Sequence, residues 1–202
     1  MTSIIDYGAG NIQSVKNALE ALGEPAVITC DRAQILNADR VILPGVGAFG
    51  AAMAQINRRG LADTIRSAVQ SGIPFLGICL GLQILFDSSE EDPDIPGLSL
   101  LPGNIVKIPD APGVKIPHIG WNSLDVQKDC PLFSGLKNGE YVYFVHSFYL
   151  RATQRSDVAA TAGYGVTMDV AVSRDNLFAT QFHPEKSGAA GLKMLRNFIG
   201  LH

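Results

Sequence analysis

The run Pro74-Phe75-Leu76-Gly77-Ile78 contains no polar side chain, so a strand built from it has to be buried on both faces. Burial of that kind needs a parallel sheet with helices on either side, and the first half of the chain is punctuated to supply one. Apolar, β-branched runs at 4–7, 26–29, 40–43 and 74–78 alternate with helical periodicity, and glycine- and proline-rich turns separate them. Asn11 is placed to cap a helix whose apolar face is Ile12, Val15, Leu19 and Leu22, and Gly23 and Pro25 end it. Helical segments are predicted over 51–71 and 80–86. An acidic loop at 87–94 then gives way to shorter strands at 105–108, 122–126, 141–146, 158–162, 168–173 and 178–182, before a last helix at 188–199. The expected fold is α/β, a single domain over 1–202. Its central, mostly parallel sheet is flanked by helices, and shorter antiparallel strands are added in the second half.

Composition narrows the function. Hydrophobic residues make up 47% and charged residues 17%, which suits a compact folded chain. A net charge of −3, with Lys and Arg scattered, offers no basic stripe for a nucleic-acid backbone. The opening residues lack a positively charged segment followed by a long apolar one, and no window is long enough to cross a bilayer, so a cytoplasmic protein is expected. Cys30, Cys79 and Cys130 cannot all pair with one another and fit no metal-knuckle spacing, so free thiols are expected.

One of these thiols has a distinctive frame. In Gly77-Ile78-Cys79-Leu80-Gly81 the cysteine stands where an apolar strand stops and a helix starts, with a glycine two residues to either side. A turn that tight brings backbone too close for side chains at the flanking positions and pushes the thiol outward. The helix start favours thiolate, and the Leu80 N–H can donate to an oxyanion. A lone cysteine at a strand end is more often inert packing, so the assignment requires a base elsewhere. Cys30 and Cys130 lack such a frame and read as packing or surface residues.

Gln181-Phe182-His183-Pro184-Glu185 supplies that base. In extended chain, residues two apart face the same way, so His183 and Glu185 project together while Pro184 stiffens the segment. A carboxylate on one ring nitrogen fixes the tautomer and stabilises the imidazolium formed when the other takes the thiol proton. His118, His146 and His202 have no carboxylate two residues away and read as structural or substrate-lining.

The elbow through Gln83, together with Phe182-His183-Pro184-Glu185, resembles the class I, triad-type glutamine amidotransferases. Five further segments narrow the resemblance. They are Asp6-Tyr7-Gly8-Ala9-Gly10-Asn11, Pro44-Gly45-Val46-Gly47-Ala48-Phe49, Pro117-His118-Ile119-Gly120-Trp121-Asn122, Tyr143-Phe144-Val145-His146-Ser147, and Lys186 after Glu185. These look like the family of glutaminase subunits of imidazole glycerol phosphate synthase, and the motifs span nearly the whole chain.

That resemblance implies hydrolysis of glutamine through a Cys79 thioester, with His183 and Glu185 completing the catalytic set and neither cofactor nor metal required. It implies an oxyanion hole from the Leu80 and Val46 N–H groups. Glycines at 45 and 47 would let the Gly45-Val46 peptide reverse when the partner binds its own substrate. It also implies a glutamine pocket of Gly47, Gln83, Glu91, His146 and Ser147, with Glu91 as counter-charge for the α-ammonium. Glu91 lies in a charge run that reads equally as solvated surface. The implied partner is a (β/α)8 barrel cyclase, met through Trp121, Tyr143 and Lys186 around an ammonia exit; the two aromatics read equally as core residues. Two other readings stand beside this one: a glutaminase subunit serving anthranilate or pyridoxal phosphate synthesis, and a non-catalytic regulatory subunit on the same fold.

Overall fold

The computed structural model describes residues 1–8 and 10–201. Ala9 of the opening motif and His202 lie outside the described residues. The first half runs β1 (Thr2–Ile5), α1 (Ile12–Ala21), β2 (Ala26–Thr29), α2 (Arg32–Leu36), β3 (Arg40–Leu43), α3 (Phe49–Arg58), α4 (Leu61–Gln70), β4 (Phe75–Ile78) and α5 (Leu80–Gln83). The second half runs β5 (Ser88–Ser89), β6 (Gly103–Lys107), β7 (His118–Ser123), β8 (Asp125–Val126), β9 (Tyr141–His146) and β10 (Phe148–Ala152), then β11 (Val158–Tyr164), β12 (Val166–Arg174), β13 (Leu177–Thr180) and α6 (Gly188–Ile199).

The main sheet has the order β2-β1-β3-β4-β13-β12-β10-β6-β5, with β11 beside β12 and β8 beside β11. From β2 to β13 neighbouring strands are parallel. From β13 onward pairing is antiparallel, apart from the short β5 beside β6. Alternate residues feed two cores. Ile4, Ile42, Leu76 and Ile78 pack with α1 and α6, and Ile5, Val41, Leu43 and Phe75 with α2, α3 and α4. The two-sided burial demanded by β4 is met, and the fold is the α/β class expected. Strands β7 and β9 form a separate antiparallel ribbon.

Several boundaries differ from expectation. β1 starts and ends earlier than 4–7, because its pairing begins at Thr2, opposite Ala26 and Arg40, and ends at Ile5, opposite Thr29 of β2. The segment 51–71 is two helices, broken by Gly60 in the left-handed region. The helix after the thiol is a single turn ending at Gln83, not Phe86. The strand expected at 122–126 is the end of β7 followed by the short β8. Asn11 does not cap α1: it sits at φ 68° with no side-chain bond to the helix.

The turn between β12 and β13 sets the register that matters for function. Asn176 donates from Nδ2 to the carbonyls of Val69 (2.9 Å) and Ile73 (2.7 Å), and its own carbonyl accepts the Phe75 N–H at 2.9 Å. The hairpin tip is thereby fixed at the entrance of β4. Asn176→Ala is expected to lower unfolding stability by about 1–3 kcal/mol in urea titration. An unchanged midpoint would show that the tip does not hold the register.

Candidate active site

β13 lies parallel to β4 with Thr180 opposite Ile78, and the Cys79 N–H donates to the Thr180 carbonyl at 2.7 Å. The chain continues past Thr180 beside the turn that carries the thiol, so His183 arrives next to Cys79. Cys79 itself has φ 56°, a strained conformation for a residue with a Cβ. Its glycine frame is a packing requirement. A Cβ on Gly81 would lie 1.8 Å from the Leu43 carbonyl oxygen, and one on Gly77 would lie 2.8 Å from the Gly81 carbonyl oxygen.

His183 and Glu185 are both inaccessible to solvent through their side chains. His183 Nδ1 donates to Glu185 Oε1 at 2.8 Å, because a carboxylate there can only accept. The same oxygen takes a second donor, the Asn11 amide at 2.5 Å. This is the task of Asn11 in place of helix capping, and no local pattern in the sequence announces it. Burial alone would push the imidazole pKa down. The nearby Cys79 sulfur, the hydrogen bond to Glu185 and the negative charge of both outweigh it and raise the value to about 9. Nε2 is buried and, among the described residues, makes no hydrogen bond.

Beside the sulfur is a cavity of about 450 Å³. Gly47, Gln83, Glu91, His146 and Ser147 all line it, together with Val46, Leu80 and Lys186. Two of these have further duties. Glu91 Oε2 accepts the Phe49 N–H at 2.8 Å, tying the cavity wall to the start of α3. His146 has both ring nitrogens engaged, Nδ1 with the Phe148 carbonyl at 2.8 Å and Nε2 with His118 Nδ1 at 3.0 Å. Burial and the neighbouring histidines hold its pKa down at about 4, despite the Phe148 bond, so it is a neutral wall of the cavity.

The Leu80 N–H donates to the Gly45 carbonyl at 3.3 Å. In a trans peptide the carbonyl and the following N–H point in opposite directions, so the Val46 N–H is turned away from Leu80. Tyr7 packs against this loop: a Cβ on Gly45 would lie 2.1 Å from its hydroxyl, which is buried without a hydrogen-bond partner among the described residues. Trp121 and Tyr143 are cross-strand partners on the β7–β9 ribbon, edge to face at 6.0 Å. Trp121 is 55% exposed, so it is not a core residue, and Ile119 and Tyr141 on the same face are also exposed. Cys30 is at the surface and Cys130 is buried.

A buried thiol, imidazole and carboxylate in sequence beside a cavity, on this sheet, define a class. The model of the family "Glutamine amidotransferase class-I" matches residues 3–201, and the chain belongs to that family. Within it, the chain is 50% identical over 203 residues to the "Imidazole glycerol phosphate synthase subunit HisH" of Syntrophotalea carbinolica, covering 98% of each chain. It is 50% identical over 199 residues to the protein of that name from Methanothermobacter thermautotrophicus, again covering 98% of each. A solved structure described as a glutamine amidotransferase shares the fold with a TM-score of 0.75 at 22% identity, over 98% of this chain and 96% of that one. Among the described residues no helix is long and apolar enough to cross a membrane.

The raised pKa of His183 has a definite sign. The folded state holds this proton more tightly than an unfolded chain, whose histidine titrates near 6.5. Its contribution to stability is therefore complete below pH 6.5, declines as pH rises and is lost above about 9. Ring ¹⁵N shifts should report an imidazolium at pH 7.5 that loses its proton near pH 9; a neutral ring at pH 7.5 contradicts this charge arrangement.

Proposed function

We propose that this chain is the glutamine-hydrolysing subunit of an imidazole glycerol phosphate synthase, a cytoplasmic heterodimer of histidine biosynthesis. The observation that carries the reading is the alignment of Cys79, His183 and Glu185 beside one cavity. In the reaction, the Cys79 thiolate attacks the side-chain amide carbon of glutamine, giving a tetrahedral oxyanion. His183 passes its proton to the amide nitrogen, the C–N bond breaks, and ammonia leaves. Water, deprotonated by His183, then hydrolyses the thioester, releasing glutamate and the thiolate. Gln83, Gly47, Ser147 and the wall at His146 would position the substrate, with Glu91 facing its ammonium.

The oxyanion needs two N–H donors, each commonly worth about 3 kcal/mol in the transition state. In the resting arrangement one of them, Leu80, is held by the Gly45 carbonyl, and the other, Val46, is turned away. Reversal of the Gly45-Val46 peptide would correct both at once. This supports a glutaminase that is slow until its partner is loaded.

The partner we assign is a (β/α)8 barrel cyclase, seated on the outward face of the β7–β9 ribbon. Ile119, Trp121, Tyr141 and Tyr143 make that face apolar, and Val145 and Lys186 connect it to the cavity wall. Ammonia released under such a cover would pass to the cyclase without equilibrating with bulk water. The relatives at 50% identity are imidazole glycerol phosphate synthase subunits, which favours this acceptor over anthranilate or pyridoxal phosphate synthesis, and the intact catalytic set argues against a regulatory subunit.

The test is glutamate release with and without the barrel subunit and its phosphorylated ribonucleotide. The loaded complex should exceed the free chain by at least a hundredfold. Cys79→Ala should abolish release while the complex still forms, and Trp121→Ala should weaken association about tenfold or more. Equal rates for the free chain and the loaded complex would overturn the partner-gated reading.

A further inference from the structure

The buried polar groups behind the thiol are ordered by one atom, the carbonyl oxygen of Phe148, which can only accept. It takes a hydrogen bond from Gln83 Nε2 at 3.2 Å and one from His146 Nδ1 at 2.8 Å. The first fixes which end of the Gln83 amide is nitrogen. That nitrogen has a second proton, and it goes to Gln181 Oε1 at 3.0 Å. The Gln181 amide is thereby oriented too, and its nitrogen faces Cys79 Sγ at 3.7 Å. Reversing Gln181 would set two N–H groups against each other at Gln83 and aim a carbonyl at the sulfur. Both glutamines are buried, Gln181 completely, so water cannot relieve either mismatch.

We propose that Gln181 is a further catalytic residue, whose amide N–H donates to the Cys79 sulfur and favours its anionic form. The sulfur is then approached by two donors, the His183 imidazolium and a neutral amide that carries no proton to lose. The amide acts twice: it stabilises the thiolate before attack, and again when hydrolysis of the thioester expels the same thiolate. Gln83 has a double duty, since the side chain that lines the cavity also holds the amide on the sulfur. The proposal rests on the glutaminase reading for the identity of the reaction, but not for the contact itself.

The test is alkylation of Cys79 by iodoacetamide in the full-length chain, followed by mass spectrometry of the Cys79 peptide at pH 6 and pH 9. Gln181→Met removes the donor at similar size and should slow alkylation about tenfold at pH 6, with the rate at pH 9 within about twofold of the parent. Gln181→Glu should slow it further at pH 6. Unchanged rates at pH 6, or an equal loss at both pH values, would overturn the proposal, the latter because it marks damage to packing. If the Gln181 variants do not fold, comparison of the parent chain with Cys79→Ala still decides. The side-chain amide protons of Gln181 should shift when Cys79 is replaced by alanine, and a resonance that does not move rejects the contact. Neither readout requires glutamine turnover, so a chain that keeps the contact and fails to hydrolyse glutamine rejects only the glutaminase reading.

Discussion

The parallel pairing of β13 with β4 is the contact on which the site depends. Thr180 stands opposite Ile78, and the hydrogen bond from the Cys79 N–H to the Thr180 carbonyl extends the ladder one step into the turn. A strand from the end of the chain is thereby inserted next to the strand that launches the thiol. A slip of one residue would move Gln181 off the sulfur and turn the His183 segment to the other side of the sheet. The register is secured at both ends, by Asn176 at the hairpin tip and by His183 N–H on the Tyr143 carbonyl beyond the strand.

That second anchor links the catalytic pair to the outward ribbon. Tyr143 holds His183 through its carbonyl, pairs with Trp121 across the ribbon, and donates its N–H to Ser187 Oγ at 3.0 Å. Ser187 in turn donates to the His183 carbonyl at 2.6 Å. A partner pressing on the ribbon therefore acts on the backbone that aims the imidazole. The Gly45-Val46 peptide sits against Leu80, with the Tyr7 hydroxyl close to Gly45. The site is assembled between an exposed apolar face and a glycine loop.

The thiol and its dyad were readable in the sequence because their chemistry is local. The elbow needs glycine at 77 and 81 within five residues, and His183 and Glu185 are two apart in the sequence, although a single 3-10 turn over Pro184–Lys186, not the extended chain expected, brings their side chains together. The α/β class was readable for the same reason, since the unbroken run before Cys79 has no other stable burial. What escaped was long-range or short. Asn11 looked like a helix cap, and only the tertiary fold shows that its amide goes to Glu185. β10 follows β9 after the single residue Ser147, where the chain leaves the ribbon for the main sheet, and no turn signal marks the change. α2 has five residues, too few to show a helical period, although Asp31 caps it. The pairing of His118 with His146 likewise depends on register between β7 and β9.

The central claim is that the sulfur of Cys79, with His183 as its proton carrier, becomes covalently joined to the substrate. It is tested most directly by mixing the partner-loaded complex with isotopically labelled glutamine, quenching in acid within one turnover and locating the label by mass spectrometry. The account predicts a glutamyl thioester on the peptide containing Cys79, and no adduct there when His183 is replaced by alanine. Label carried by Cys30 or Cys130, or turnover with no acylated cysteine at any time point, would contradict it.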